Sequence, residues 1–236
     1  MSLKIMSFNT QHCLNYITRK IDLSRMADVI RESGADIIGL NEMRGEGEQS
    51  EYTAQTEALA EALGFYCYFA KAIDVNGNNP YGNGILSRYP ILSAETVKIP
   101  DPMPRKYSGY YESRCVLKAR VDTPSGEITV LVTHFGLNPD EAENAVDTVL
   151  DNAERERCVL MGDFNLTPDS TLLNPIRDAF FDTSELFGRV LLSFPSDNPD
   201  RKIDYIFTSR DIKVTAADIP NIVASDHRPH TADIEL

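Results

Sequence analysis

Polar side chains recur where apolar runs of this 236-residue chain end, and their types are those of metal-assisted acid–base chemistry. Asn9 follows Ile5-Met6-Ser7-Phe8, and Glu42 follows Ile37-Ile38-Gly39-Leu40. His134 closes Val130-Leu131-Val132-Thr133, and Asp163 and Asn165 follow Val159-Leu160-Met161-Gly162. Asp204 sits inside Lys202-Ile203-Asp204-Tyr205-Ile206-Phe207, and Asp226-His227 precedes the last apolar run. One Asn or Asp at a strand end is ordinarily a turn or cap, and one His ordinarily a hydrogen-bonded partial-core residue. Repetition at successive strand exits points instead to a shared rim, where ligand and catalytic groups gather.

If Glu42, Asp163, Asp204 and Asp226 converge, each close pair repels by about 4 kcal/mol at an effective dielectric of about 20. A divalent cation relieves that repulsion. Hard oxygen donors without paired thiolates favour Mg²⁺, with Mn²⁺ as the alternative, over zinc.

The elements that must position these residues are legible as alternating helices and strands. Strands are expected over 2–9, 36–42, 65–69, 91–99, 110–122, 127–133, 158–162, 203–208, 212–217 and 229–236, and helices over 22–33, 51–63, 139–156 and 168–177. Residues 76–84, rich in Asn and Gly, read as a loop opening into Ile85-Leu86-Ser87. No composition break, repeat or linker interrupts the chain, so residues 1–236 are expected to form a single domain.

Composition narrows the function. The net charge of −13 disfavours polyanionic partners over most of the surface without excluding a local site. No stretch approaches the roughly 20 apolar residues of a membrane span, so no stable membrane insertion is expected. The four cysteines, Cys13, Cys67, Cys115 and Cys158, are far apart and read as buried free thiols, consistent with a cytoplasmic location. No protein partner is evident.

The segments Ser7-Phe8-Asn9, Leu40-Asn41-Glu42, Gly82-Asn83-Gly84-Ile85-Leu86-Ser87, Thr133-His134-Phe135, Gly162-Asp163-Phe164-Asn165, Ile203-Asp204-Tyr205-Ile206 and Ser225-Asp226-His227 occur in an order and spacing that resembles the endonuclease/exonuclease/phosphatase superfamily, the deoxyribonuclease I-like fold. The resemblance implies an α+β, four-layer α/β/β/α sandwich of two packed mixed sheets flanked by helices. It implies a Mg²⁺-dependent phosphoester hydrolase in which Glu42, Asn9 and Asp226 form the metal shell. His227 would be the general base, oriented by Asp204, and Asp163 would position the attacking water. Asn165, His134 and Asn83 would hold phosphate oxygens, with Tyr81 and Arg114 as further substrate contacts.

Two departures bear on substrate. One common family variant has Gln where Asn41 stands, and many relatives carry an Arg and a Gln on the helix after the Thr-His motif. Residues 138–153 here contain neither and are strongly acidic. The acidic surface favours a small phosphoester over DNA or RNA, and the loop 100–111, with Arg105, Lys106, Tyr107, Tyr110 and Tyr111, could grip a base, sugar or lipid head group or merely cover a sheet end. The alternatives are an endo- or exonuclease and, in another class, a non-catalytic binding module on the same fold. A zinc metallophosphatase lacks support because its extra His ligands and Gly-Asn-His motif are missing.

Overall fold

The computed structural model describes residues 2–236. Its strands are β1 (Ser2–Asn9), β2 (Ile37–Arg44), β3 (Tyr66–Asp74), β4 (Pro80–Ser87), β5 (Ile91–Lys98), β6 (Cys115–Thr123), β7 (Gly126–His134), β8 (Cys158–Asp163), β9 (Phe181–Asp182), β10 (Asp204–Thr208), β11 (Lys213–Asp218) and β12 (His230–Glu235). The helices are α1 (Leu23–Ser33), α2 (Gln55–Leu63), α3 (Pro139–Asn152) and α4 (Asn174–Ala179). Two six-stranded mixed sheets form, in the orders β11-β12-β1-β2-β4-β3 and β5-β6-β7-β8-β10-β9.

Apolar residues on the inner faces, among them Ile5, Ile37, Val130, Val132, Met161 and Ile206, make the core between the sheets. The opposite side chains of the same strands point outward. Met6, Phe8, Ile38 and Leu40 pack with Met26, Val29 and Ile30 of α1 and Leu59 of α2. On the second sheet Leu131, Leu160, Tyr205 and Phe207 pack with Val146 and Val149 of α3 and Ile176 of α4. Strands buried on both faces explain the near-continuous apolar runs, and the result is the expected four-layer α/β/β/α sandwich.

Helix limits follow local chemistry. The Asp22 side chain accepts from Arg25 N at the start of α1, and Gly34 ends the helix at φ 68°. Pro139 opens α3 beside Asn138, whose backbone N–H donates to the Glu141 carboxylate at 3.1 Å.

Several expected boundaries are corrected. The 76–84 loop is strand from Pro80 onward, paired on both sides by β2 and β3. Glycine at position 82 is what that pairing requires, because a Cβ there would collide with the backbone carbonyl of Ala70. The strand expected over 110–122 begins at Cys115, since the preceding segment is tied to α3: Asn138 Nδ2 donates to Tyr110 O at 2.8 Å and Glu112 N to Glu141 Oε1 at 3.1 Å. Helix α2 starts at Gln55 and α3 ends at Asn152, while 168–177 resolves into a 3-10 turn over Thr171–Leu173 followed by α4.

No helix among the described residues is long and apolar enough to cross a membrane. All four cysteines are free, three of them buried and Cys67 half-buried.

Candidate active site

The strand ends of both sheets meet at one rim. On the second sheet Asp163 ends β8, with His134 beside it in the parallel register of β7 and Asp204 opposite it in the antiparallel register of β10. On the first sheet Asn9 ends β1 next to Asn41 of β2. Hydrogen bonding between β2 and β4 is interrupted between Leu40 and Met43, where Asn41 and Glu42 together face the single residue Asn83. Such a bulge re-aims a side chain, and Glu42 adopts φ 63°, a conformation a non-glycine residue takes only where its surroundings impose it.

Asn9 joins the two sheets at the site. Its Nδ2 donates to Glu42 Oε1 and to Asp163 Oδ2, both at 3.1 Å. Tyr81 Oη donates to the other Glu42 oxygen at 2.9 Å. Beyond Asn9 the chain makes a left-handed turn through Gln11, His12 and Cys13, with φ of 48°, 46° and 60°. Asn9 Oδ1 receives Gln11 N at 3.1 Å and Gln55 Nε2 donates to His12 O at 2.8 Å, so the turn and the Asn9 amide fix each other.

His227 is buried between acids. Its Nδ1 lies 2.9 Å from Asp204 Oδ2 and its Nε2 lies 3.6 Å from Asp163 Oδ2, while Phe194 packs on the ring with centroids 4.7 Å apart. Burial opposes a charged imidazole, yet Asp204, Asp163 and Asp226 outweigh it and push His227 up to about 10. Burial also pushes Asp163 up, partly opposed by His227. The proton this buried pair shares resides on His227, the group with two carboxylates against it.

His134 has different surroundings. Arg114 Nη1 lies 3.2 Å from its Nδ1, and Asn165 Nδ2 lies 3.2 Å from its Nε2. Arg114 Nη1 and Asn165 Nδ2 are both donors, so each ring nitrogen faces one, and Nε2 also lies 3.5 Å from Asp163 Oδ2. Burial first, then the positive charges of Arg114 and His227, hold His134 well below the usual imidazole range, so the ring is neutral. Asn165 itself adopts the left-handed conformation at φ 50°, its N–H bonded to Asp163 Oδ1 at 2.9 Å and its Nδ2 to Phe135 O at 3.1 Å.

Asp226 precedes His227 and takes a hydrogen bond from Ser225 Oγ at 3.0 Å. Burial leads its upward shift, opposed by His227, and the charge of Glu42 adds to it.

Asn83 does not sit as expected. It is buried, its Oδ1 accepts from Asn41 Nδ2 at 2.9 Å and its Nδ2 donates to Cys115 O at 3.0 Å, which ties its amide into the protein. Arg114 is nearly buried and paired with Glu112 Oε1 at 2.6 Å through the same nitrogen that approaches His134.

Two residues not singled out by sequence matter here. Asn41 donates to Thr133 O at 2.9 Å and accepts from Asp163 N at 3.0 Å, a buried clip between the sheets. Lys202 is 4% exposed, its ammonium 3.1 Å from the centroid of the Tyr205 ring. Asn41 breaks an apolar run just as Glu42 does, and that was its available signal; Lys202 looks like any surface lysine.

Three carboxyl groups, those of Asp204, Asp163 and Asp226, thus act on one imidazole, and Asn9 joins Asp163 to a fourth, Glu42. The donors are hard oxygens plus a histidine, ligand atoms of Asp163, Asp204 and His227 lie within 4.8 Å of one another, and Asp204 Oδ1 is buried without a hydrogen-bond partner. The hard oxygens of Glu42, Asn9 and Asp226 beside this cluster, with the excess negative charge around them, fit a divalent cation.

Two packed six-stranded sheets with such a rim match the architecture of a family that contains phosphatases and nucleases. The chain belongs to the Endonuclease/Exonuclease/phosphatase family, whose model matches residues 6–227. It is 27% identical over 261 aligned positions to the uncharacterized protein YbhP of Escherichia coli (strain K12), covering 100% of this chain and 97% of that one. Among solved structures, the endonuclease/exonuclease/phosphatase from Beutenbergia cavernae DSM 12333 superposes with a TM-score of 0.81 at 24% identity, covering 100% of this chain and 72% of that one. The mannosyl-6-phosphatase Bt3783 of Bacteroides thetaiotaomicron VPI-5482 superposes with a TM-score of 0.78 at 15% identity, covering 99% and 100%. At these identities the solved structures share the fold.

Proposed function

We propose that this chain is a Mg²⁺- or Mn²⁺-dependent hydrolase of small phosphoesters. The observation that carries the reading is His227 held between Asp204 and Asp163, with Asn9 linking Asp163 to Glu42.

Glu42, Asn9 and Asp226 would hold the cation. A cation held by these residues would supply Lewis-acid polarisation of a phosphoryl oxygen and would offset the acid charge that keeps His227 protonated. Asp204 accepts the Nδ1 proton of His227 and fixes its ring, leaving Nε2 to take a proton from water. Asp163, 3.6 Å from that nitrogen, orients the water toward phosphorus. Asn165 and His134 would hold the non-bridging oxygens, with Arg114, paired with Glu112, bracing the His134 ring, and His134 would assist departure of the leaving oxygen. Tyr81 steadies the Glu42 carboxylate. Each group is positioned before reaction, which is where phosphoryl transfer gains most of its rate.

The formal charge of −13 supports a small substrate over a nucleic-acid strand. A fold neighbour named as a mannosyl-6-phosphatase agrees with that choice. The test is hydrolysis of bis-p-nitrophenyl phosphate, p-nitrophenyl phosphate, plasmid DNA and RNA, with chelated protein and His227→Ala as controls. Metal-dependent cleavage of a small ester that is lost in His227→Ala is the expected result. Failure of folded, metal-loaded protein to cleave any of the four overturns the reading, and preferential cleavage of DNA or RNA overturns the substrate class.

A further inference from the structure

Beside the phosphate-handling end of the site lies an apolar ledge that the hydrolytic machinery does not use. Tyr107, Tyr110 and Leu137 are 48%, 66% and 61% exposed. Tyr110 and Leu137 belong to segments fastened together, since Asn138 Nδ2 donates to Tyr110 O at 2.8 Å, and Tyr107 N donates to Tyr111 Oη at 3.0 Å. Tyr111 in turn donates to Asp140 at 3.0 Å, and Lys106 N to the same carboxylate at 2.9 Å. The loop is therefore held by the first turn of α3 in a defined shape.

A continuous chain of polar contacts runs from the ledge into the site. Tyr110 Oη donates to Glu112 Oε2 at 3.1 Å, Glu112 Oε1 pairs with Arg114 Nη1 at 2.6 Å, and that nitrogen lies 3.2 Å from His134 Nδ1. The exposed phenol ring and the imidazole are thus two ends of one ordered array. Leu137 stands three residues beyond His134 on the same connection into α3.

Charge decides what the ledge accepts. The cations of this region are all engaged: Arg105 stacks over Tyr111 with its guanidinium carbon 4.7 Å from the ring centroid, Lys106 pairs with Glu143 at 3.3 Å, and Arg114 pairs with Glu112. With Lys106 and Arg114 offset by Glu143 and Glu112, and the chain as a whole at −13, the patch offers no surplus of positive charge to a string of phosphates, whereas an uncharged planar ring loses little solvation and gains stacking.

We propose that Tyr110 and Leu137, with Tyr107, seat an uncharged planar group of the substrate, so that the preferred phosphoester carries an aromatic base or aryl substituent and no further phosphates. This rests on the phosphoester reading of the site, and it predicts which small phosphoesters the site selects.

The test is calorimetric titration of metal-loaded protein in the His227→Ala background, so that ligand is not consumed, comparing adenosine 5′-monophosphate with ribose 5-phosphate. The two share the sugar and phosphate and differ by the planar base. The expected result is roughly tenfold or tighter binding of the nucleotide, since base–aromatic stacking contributes about 1–3 kcal/mol. That ratio should fall toward one in Tyr110→Ala and in Leu137→Ser and persist in Tyr110→Phe, which keeps the ring and loses the hydroxyl. Equal affinities, absence of nucleotide binding at millimolar concentration, or a ratio unmoved by Tyr110→Ala and Leu137→Ser overturns the assignment. A tighter Kd for a single-stranded tetranucleotide than for the mononucleotide overturns it as well. Because binding is read apart from turnover, a protein that discriminates the pair supports the ledge even if the hydrolysis panel fails, so the two readings fail separately.

Discussion

The backbone N–H of Asp163 donates to Asn41 Oδ1 at 3.0 Å, across the space between the two sheets. Asn41 Nδ2 is bound to Thr133 O and Asn83 Oδ1 at 2.9 Å each, so one amide sets β2 against β7, β8 and β4 at the edge of the cleft. Substituting Asn41 with Ala leaves several buried polar groups without partners, each costing about 1–3 kcal/mol. Asn41→Ala should therefore be destabilised by roughly 3 kcal/mol or more in urea unfolding, with a still larger loss of kcat as Asp163 shifts. A midpoint equal to wild type would show that the clip contributes nothing.

His227→Ala and Glu42→Ala should each retain a cooperative unfolding transition and lose most activity. For His227 the expected drop in kcat is about 10²- to 10⁴-fold, the usual contribution of a positioned base. Asp204→Asn should fall by a comparable factor, because Asp204 holds the ring that does the work. Wild-type rates in purified His227→Ala would remove it from the reaction.

Metal binding is readable without turnover. Adding Mg²⁺ or Mn²⁺ to chelated protein at roughly a hundredfold excess over Kd should stabilise it by about 2.7 kcal/mol, several degrees in Tm. Glu42→Gln should lose most of that shift. An equal shift in wild type and variant would place the cation elsewhere.

Lys202 gives a pH signature. Burial is the main reason its ammonium is held down to about 7, with Asp182 and Asp204 opposing the shift. Below pH 7 both folded and unfolded chains carry the proton and the folded state bears the full burden of a buried charge. Between pH 7 and the ordinary lysine range the unfolded chain binds a proton that the folded one does not, so this group makes stability rise with pH. Lys202→Met should thus be more stable than wild type at pH 6 in chelator, with the difference shrinking toward pH 10. Thermal melts across that range check it, and a constant difference would mean that Lys202 keeps its proton throughout.

Much of this architecture is legible in sequence where burial and pattern agree. Asn9, Glu42, His134 and Asp163 stand out because each ends an apolar run, and the strands that carry them fall close to their expected limits. The rim follows from those strand ends and the order of the motifs. What escapes is whatever depends on register between distant strands. Asn83 sits in a glycine-rich segment that reads as a turn until β2 and β3 are seen on either side of it. Asn41 shows its partners only when β7 and β8 are brought beneath it. Lys202 carries the residue type of a solvated surface, and no pattern around it in sequence marks its ammonium as buried on the Tyr205 ring.

The segment that leads into β6 hangs on Asp140 and Glu141 of α3, whereas the acids and histidines of the rim hang on strand ends locked by Asn41. These are separate supports. A lineage can therefore redraw the approach to the cleft by exchanging a few residues within 100–111 while Glu112 and Arg114 keep their contact with His134. In engineering terms the molecule separates its tool from its handle, and randomising residues 100–111 offers a direct route to new selectivity at constant chemistry.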